Sequence, residues 1–230
     1  MGRIPRWRLG KGVYHVFNRG VNSAWILSRP GDRDFFCHLL SEQKKHFNME
    51  IYHYAVMSSH FHLALEALDT LTLSAYVGRV SALYSRHCHK ENGGGNGSVW
   101  QGRFKSIVVQ KELYLNRLGR YIERNPVAAG VEGVASPADY KWSSAGAYVS
   151  DRIDSIVAVD RHPYRKNWGD SEMECRKNYL AYINNGDDDG EKAIFTSSAG
   201  AWLGDENFRQ NLEIVSGRLS SRKRGRRRTQ

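Results

Sequence analysis

The chain has 230 residues, of which 40% are hydrophobic and 25% charged, proportions typical of a globular protein with a core of its own. No apolar run approaches the roughly 18 residues that a membrane-spanning helix needs, and no apolar segment follows the basic first residues, so we expect neither a membrane span nor a secretory signal. The three cysteines (Cys37, Cys88 and Cys175) are widely spaced and odd in number, which excludes a disulfide scaffold and a zinc ribbon and is typical of the cytoplasm.

The N-terminal part of the chain predicts one helix among three strands. Apolar residues recur at three- and four-residue spacing from Phe35 to Phe47, which is the pattern of an amphipathic helix, and Asp32 stands where its N-cap is expected. The flanking segments are rich in aromatic and aliphatic residues without helical periodicity, so we predict strands there, with a turn or bulge at Ser58 and Ser59. The predicted strands cover residues 14–20, about 50–57 and about 61–67.

The middle of the chain adds two helices and one strand. Thr70 or Thr72 can cap the first of these helices, and the second should end at Asn125, because Pro126 disfavours helical geometry in the residue before it. The predicted elements are a helix to about residue 90, a glycine-rich loop at 93–97, a strand at 100–110 and a helix at 111–125. This order predicts an α+β sandwich with an antiparallel or mixed sheet and helices packed on one face, and we expect the central sheet to be antiparallel.

The distribution of charge divides the chain into three parts. Residues 1–150 carry 19 Lys and Arg against 11 Asp and Glu, residues 151–215 carry 8 against 13, and residues 216–230 carry 7 against none. We expect a basic domain over 1–150, a partly helical C-terminal extension over 151–215 and a basic, disordered tail over 216–230. A basic domain and a basic tail indicate a polyanionic partner, most simply nucleic acid.

The periodic pattern is weaker within the C-terminal extension. A helix is predicted at 175–183, followed by a polar loop at 187–190. Asp205 can cap a further short helix that includes Phe208 and Leu212.

Two histidines share one face of the predicted third strand. Side chains alternate along a strand, so His60 and His62 lie on the face opposite Phe61, with Glu66 further along the same face. Two imidazoles so placed can hold one divalent metal ion. Taken alone, the pair is more often just two polar residues on the solvated face of a sheet.

The last predicted helix of the basic domain carries a second candidate pair. Tyr121 and Asn125 are four residues apart, so their side chains lie on the same helix face. A phenol and an amide then point toward one place. The alternative is that Tyr121 packs in the core with Leu118 and Ile122 while Asn125 caps the helix end.

The segment Trp100–Ser106 alternates basic and aromatic residues beside the glycine-rich loop. Such a surface suits nucleic acid, because Arg103 and Lys105 can meet phosphates while an aromatic ring stacks on a base. An amphipathic strand with solvated cations would have the same composition.

In combination these segments resemble a known family. A His-hydrophobe-His strand, Trp-Gln-Gly-Arg-Phe-Lys-Ser, Tyr-Ile-x-x-Asn-Pro-Val-x-Ala-Gly and Trp-Ser-Ser follow one another in this order. The chain resembles, over residues 14–148, the REP-associated tyrosine transposases, which belong to the single-tyrosine transposases of the HUH nuclease superfamily. It departs from the family at Ser58 and Ser59, where Pro-Asn is usual, and at Ala128, where Arg is frequent.

The resemblance implies a fold, a reaction and a set of residues. The fold would be ferredoxin-like, and the activity would be metal-dependent cleavage and strand transfer of single-stranded DNA through a 5′-phosphotyrosine. Tyr121 matches the nucleophile, His60 and His62 match the metal ligands, and Asn125 matches the third ligand, with Glu66 as a less favoured substitute. The expected ion is Mg²⁺ or Mn²⁺, because an open site with an amide and a phosphate suits hard cations.

The expected partner is single-stranded DNA with a hairpin-forming palindromic repeat, bound by a monomer or homodimer in the cytoplasm, in association with the nucleoid. The predicted DNA contacts are Arg103, Lys105, Arg120, Arg222, Lys223, Arg224, Arg226, Arg227 and Arg228. Two alternatives stay open: a rolling-circle replication initiator, and a non-catalytic nucleic-acid-binding descendant of the fold. Tyr114, seven residues before Tyr121, is the next candidate nucleophile.

Overall fold

The structure, a computed structural model, describes residues 10–186, 188–196 and 202–215. The basic tail and its six predicted DNA contacts lie outside these described residues. The strands are β1 (Gly12–Arg19), β2 (Met49–Val56), β3 (His60–Ala67), β4 (Lys105–Val109) and β5 (Trp202–Leu203). The helices are α1 (Pro30–Lys44), α2 (Thr70–Glu91), α3 (Lys111–Ala128), α4 (Ala145–Val149), α5 (Glu172–Asn184), α6 (Asp188–Thr196) and α7 (Glu206–Val215).

Within the described residues the strands form a single sheet in the order β2-β3-β1-β4-β5. The strand β1 pairs antiparallel with both β3 and β4, β2 pairs antiparallel with β3, and β5 joins β4 in parallel. Among the first four strands the two at the centre are β3 and β1, which come from distant parts of the sequence. The order of the first four strands is that of a ferredoxin-like sandwich, as the resemblance implied.

The two faces of the sheet are covered by different helices. Phe61, Leu63 and Leu65 of β3 are buried in a cluster with side chains of α1 and α2. Ala64 of the same strand belongs to a second cluster, on the opposite face, with Leu118 and other residues of α3. Burying each large side chain of this kind contributes about 1.5–3 kcal/mol, so alternation along the strands fixes which helix lies on which face.

The predicted α+β class with an antiparallel sheet is confirmed by the observed topology and by similarity to a solved fold described below. The helices α1 and α2 lie on one face as expected. The helix α3 departs from the prediction that the helices pack on one face, because it covers the opposite face of the sheet, which carries His60 and His62. Among the described helices, none is both long and apolar enough to span a membrane.

Several local predictions were wrong. The N-cap of α1 is Arg29, and Asp32 lies in the first turn of the helix instead. The N-cap of α2 is Asp69 rather than Thr70 or Thr72, and its Oδ1 accepts the Thr72 N–H at 2.7 Å.

The helix α3 continues through Pro126 to Ala128, although the proline has no N–H to donate to the preceding turn. The segment predicted as a polar loop begins α6 at Asp188, since acidic residues favour the positive N-terminal end of a helix; Asp187 lies outside the described residues. The predicted cap at Asp205 is confirmed, because its Oδ1 accepts the Phe208 N–H at 2.8 Å.

Candidate active site

Pairing between β1 and β3 gathers several side chains on the face that α3 covers. In the antiparallel register, Phe17 lies opposite His62 and Arg19 lies opposite His60. Residues opposite one another in a sheet project to the same face. His15, two residues before Phe17, therefore joins His60 and His62 on this face.

The three imidazoles are in close contact. The ring centroids of His60 and His62 are 5.1 Å apart with perpendicular planes, and those of His15 and His62 are 5.2 Å apart. The Nε2 atom of His15 lies 2.9 Å from Nδ1 of His62, so these two nitrogens share one hydrogen bond. His15 and His62 are buried, whereas His60 is half-buried at the N-terminal end of β3.

Burial keeps these imidazoles neutral. Desolvation lowers the pKa of His15 to about 3, and desolvation with the neighbouring histidines holds the pKa of His62 well below its usual value. The pKa of His60 is also lowered, first by burial and then by the positive charge of Arg19, while a hydrogen bond that the ring donates to the side chain of Asn125 acts in the opposite direction. At neutral pH their ring nitrogens can therefore act as metal ligands.

The helix α3 brings a phenol and an amide to the same place. The ring centroid of Tyr121 lies 5.7 Å from that of His62 and 5.8 Å from that of His15. One turn later, Asn125 donates its Nδ2 hydrogen to the backbone carbonyl of Tyr121 at 2.7 Å. Burial raises the pKa of the Tyr121 phenol to about 12, and a hydrogen bond with the Asn125 side chain opposes that shift. The side chain of Asn125 thus reaches both Tyr121 and His60.

The residues present fit a divalent cation. Ser59 Oγ lies 3.0 Å from Nδ1 of His60, and His15 occupies Nδ1 of His62. When Ser59 and His15 accept these Nδ1 hydrogens, Nε2 of both His60 and His62 keeps its lone pair. In the part of the chain that the structure describes, no group of three His, Cys, Asp or Glu residues could hold a metal. A third protein ligand would be of another type, and the side chain of Asn125 interacts with His60.

The helix α6 of the C-terminal extension covers this cluster. The ring of Phe195 lies 5.1 Å from that of Tyr121 and 6.2 Å from that of His15, and Tyr121 is only 8% exposed. On the same helix, the buried carboxylate of Glu191 accepts hydrogen bonds from Nε of Arg120 at 2.9 Å and from its Nη2 at 2.5 Å. The guanidinium of Arg120, predicted to contact DNA, is thus engaged within the chain and also lies over the ring of Tyr182.

Of the other predicted DNA contacts among the described residues, Lys105 lies beside the histidines. Arg103 and Lys105 are exposed, and the Nζ atom of Lys105 lies 5.8 Å from the ring centre of Phe17, beside the histidines. Trp100 and Phe104 are buried in the core against α1 and α2, so neither ring is free to stack on a base.

Sequence reasoning missed three residues at the site. His15, Arg19 and Ser59 all lie beside the histidine pair, and alternation along β1 would have placed His15 and Arg19 on one face had the register with β3 been known. Glu66, the less favoured substitute ligand, bonds Tyr52 and Lys111 instead. It lies six residues along β3 from His60, a distance of about 20 Å.

Comparison with known proteins identifies a family and a similar solved fold. Residues 10–125, just over half of the chain, match the family described as "Transposase IS200 like". The fold is similar to that of a REP-associated tyrosine transposase solved bound to a REP hairpin, with a TM-score of 0.54 and 18% identity over 69% of this chain and 92% of that one. No curated protein matches the chain.

Proposed function

Because the chain belongs to the family of IS200-like transposases, we propose that it cleaves and rejoins single-stranded DNA through a covalent bond between Tyr121 and a 5′ phosphate. The convergence of the Tyr121 phenol, the His60 and His62 imidazoles and the Asn125 amide carries this proposal. These residue types suit attack on a phosphodiester, because a phenol ionises far more easily than an aliphatic alcohol and is also a competent leaving group.

The proposed reaction is a transesterification. The Tyr121 oxygen attacks phosphorus in line, the bond from phosphorus to the 3′ oxygen breaks, and the 3′ oxygen leaves with a proton while the phenolic proton passes to water. The phosphotyrosine keeps the energy of the broken bond, so a second 3′ hydroxyl can reverse the step without a nucleotide cofactor.

Transposases of this type use a divalent cation. We assign its protein ligands to His60, His62 and Asn125, and the ion to Mg²⁺ or Mn²⁺. When bound there it would supply Lewis-acid polarisation of the phosphate, which is worth several kcal/mol. His15 and Ser59 hold the two ligand imidazoles in the required tautomers.

The proposed substrate is DNA that folds into a hairpin, by analogy with the REP hairpin in the similar structure. Arg19 and Lys105 place positive charge beside the histidines, and Arg103 lies close by in sequence. We expect these side chains to contact phosphates, with the tail residues 222–228 adding sequence-independent affinity. We further propose action as a monomer or homodimer in the cytoplasm, in association with the nucleoid.

The decisive test is a covalent adduct. The wild-type chain, incubated with Mn²⁺ and a hairpin oligonucleotide bearing a single-stranded flank, should form a product that survives denaturing electrophoresis. Tyr121→Phe should abolish it, and Tyr114→Phe, on the same helix, should not. Hairpin binding without an adduct would instead favour the non-catalytic alternative. A rolling-circle initiator would form the same adduct but depend on a helicase for its DNA substrate.

A further inference from the structure

A buried polar network lies on the far side of α3 from the candidate nucleophile. Glu123 is fully buried, and its carboxylate accepts three hydrogen bonds. The donors are Nδ1 of His53 at 3.0 Å, Oγ of Ser144 at 2.6 Å and the hydroxyl of Tyr179 at 2.8 Å. Both Ser144 and Tyr179 are also fully buried, so the network has no contact with solvent at these positions.

The directions of the two histidine hydrogen bonds in this network are fixed by His162. Nδ1 of His162 accepts the backbone N–H of Tyr164 at 3.2 Å, so the hydrogen of this neutral imidazole must be on Nε2. That atom lies 3.1 Å from Nε2 of His53 and donates to it. His53 therefore carries its own hydrogen on Nδ1 and donates it to Glu123. The chain of donors ends at one carboxylate on α3.

The network ties α3 to two different parts of the molecule. His53 belongs to β2, in the sheet, whereas Tyr179 belongs to α5 and His162 lies shortly before it, both in the C-terminal extension. The helix lies directly on the imidazole of His53, because a Cβ atom added at Gly119 would be 2.5 Å from its Nε2. The carboxylate of Glu123 therefore fixes both the distance of α3 from the sheet and the position of α5 against α3.

Glu123 lies two residues from both Tyr121 and Asn125, about 200° around the helix from each. An anchor on that side fixes how the helix is rotated about its axis, and so where the opposite side chains point. A displacement of about 1 Å at a reacting group can cost on the order of a hundredfold in rate.

We propose that Glu123 is a positioning residue, which makes the C-terminal extension part of the catalytic unit through Tyr179 directly and through His162 by way of His53. The proposal rests on the proposed function in that Tyr121 is taken as the nucleophile. The proposal goes beyond the proposed function because it gives the C-terminal extension a role. Its helix α5 fixes the rotation of α3 about the helix axis, and that rotation directs Tyr121 and Asn125 toward the histidine pair.

A matched pair of variants tests the proposal. Tyr179→Phe removes a hydroxyl that donates to Glu123. Tyr148 belongs to the same hydrophobic cluster as Tyr179 and is also fully buried. Tyr148→Phe removes a hydroxyl that donates to the Tyr52 carbonyl at 2.6 Å rather than to Glu123. We expect similar losses of stability from the two variants. Only Tyr179→Phe should slow adduct formation at saturating hairpin DNA, by about tenfold or more, while its DNA affinity stays unchanged.

A second readout does not need catalysis. In the chain labelled with ¹³C in the tyrosine rings, Tyr179→Phe should shift or broaden the Tyr121 signal, and Tyr148→Phe should leave it unchanged. Equal effects of the two variants on the Tyr121 signal would overturn the positioning role, whether or not the wild type forms an adduct. Absence of an adduct in the wild type would count against the proposed function and leave the labelled experiment to decide the positioning role.

Discussion

The imidazole of His15 lies directly behind that of His62, with Nε2 of one 2.9 Å from Nδ1 of the other. The remaining nitrogen of His15, Nδ1, is buried without a hydrogen-bond partner among the described residues. In the tautomer that leaves Nε2 of His62 open for a ligand, this nitrogen must carry a hydrogen that is unsatisfied, at a cost of about 1–3 kcal/mol. The tautomer of His62 that the proposed metal site requires therefore depends on His15 as a hydrogen-bond acceptor.

We predict that His15→Phe weakens Mn²⁺ binding by about 10–100-fold, the range typical for the loss of a hydrogen-bond partner behind a ligand histidine. Without an acceptor at Nδ1, His62 is free to turn and to exchange tautomers. Titration of Mn²⁺ by electron paramagnetic resonance measures the affinity directly. His15→Gln, whose amide oxygen can accept the same hydrogen, should retain more of it. Equal affinity in the wild type and His15→Phe would show that His15 has no part in holding His62.

The buried histidines also predict a pH dependence of stability. The folded-state pKa values of His15 and His62 lie below the unfolded value of 6.5, so below that pH the unfolded chain binds more protons than the folded one. The stability associated with the two neutral histidines is fully present above pH 6.5. It is lost as the pH falls toward the folded-state pKa, which is about 3 for His15. Within this window, each such histidine should lower the free energy of unfolding by about 1.4 kcal/mol for each unit by which the pH falls.

Urea denaturation between pH 7 and pH 5 measures this slope. His15→Phe should reduce the slope by one histidine's contribution, because the substituted ring binds no proton in either state. A slope that is the same in the variant and the wild type would mean that His15 titrates normally in the folded chain.

Removal of the ring over Tyr121 should activate the nucleophile. Phe195→Ala exposes the phenol, so its pKa should fall from about 12 toward the ordinary value and adduct formation should become faster. The variant should also lose about 3–5 kcal/mol of stability, which thermal denaturation will report. Ile194→Ala, at the preceding position of α6, is the matched control and should leave the Tyr121 pKa unchanged. A slower reaction in Phe195→Ala alone would show that the ring supports the nucleophile rather than covers it.

Substitution of a helical glycine by alanine should have opposite effects on stability at Gly119 and Gly78. Gly119→Ala places a methyl group 2.5 Å from Nε2 of His53 and should destabilise the fold by about 1–3 kcal/mol. Gly78→Ala on α2 meets nothing within 4 Å and should stabilise it by up to about 1 kcal/mol. Urea denaturation of both variants checks the pair. Similar stabilities for the two would contradict the close approach of α3 to His53.

Most of the fold could be predicted from residue spacings of two along strands and three or four along helices. The spacing of two residues placed His60 and His62 on one face of β3, and the spacing of four placed Tyr121 and Asn125 on one face of α3, because these periods follow from local backbone geometry. The structure has both pairs on the predicted elements and in mutual contact. Their assignment as metal ligands and nucleophile stays a prediction.

Contacts between distant segments could not be read from local patterns. His15 reaches His62 only because β1 pairs with β3 in one register, and nothing within β1 specifies that partner. Arg120 looked like a free cation on the sequence, but Glu191, 71 residues later, binds it in the fold. The alternation of basic and aromatic residues near Trp100 likewise gave no sign that the ring is buried against α1 and α2.

The identity of the residue that becomes linked to DNA tests the central claim most directly. After reaction of the wild-type chain with a hairpin oligonucleotide and Mn²⁺, digestion and mass spectrometry should find a nucleotide joined through its 5′ phosphate to the peptide that contains Tyr121. A nucleotide on another tyrosine, or an adduct that persists in Tyr121→Phe, would contradict the account.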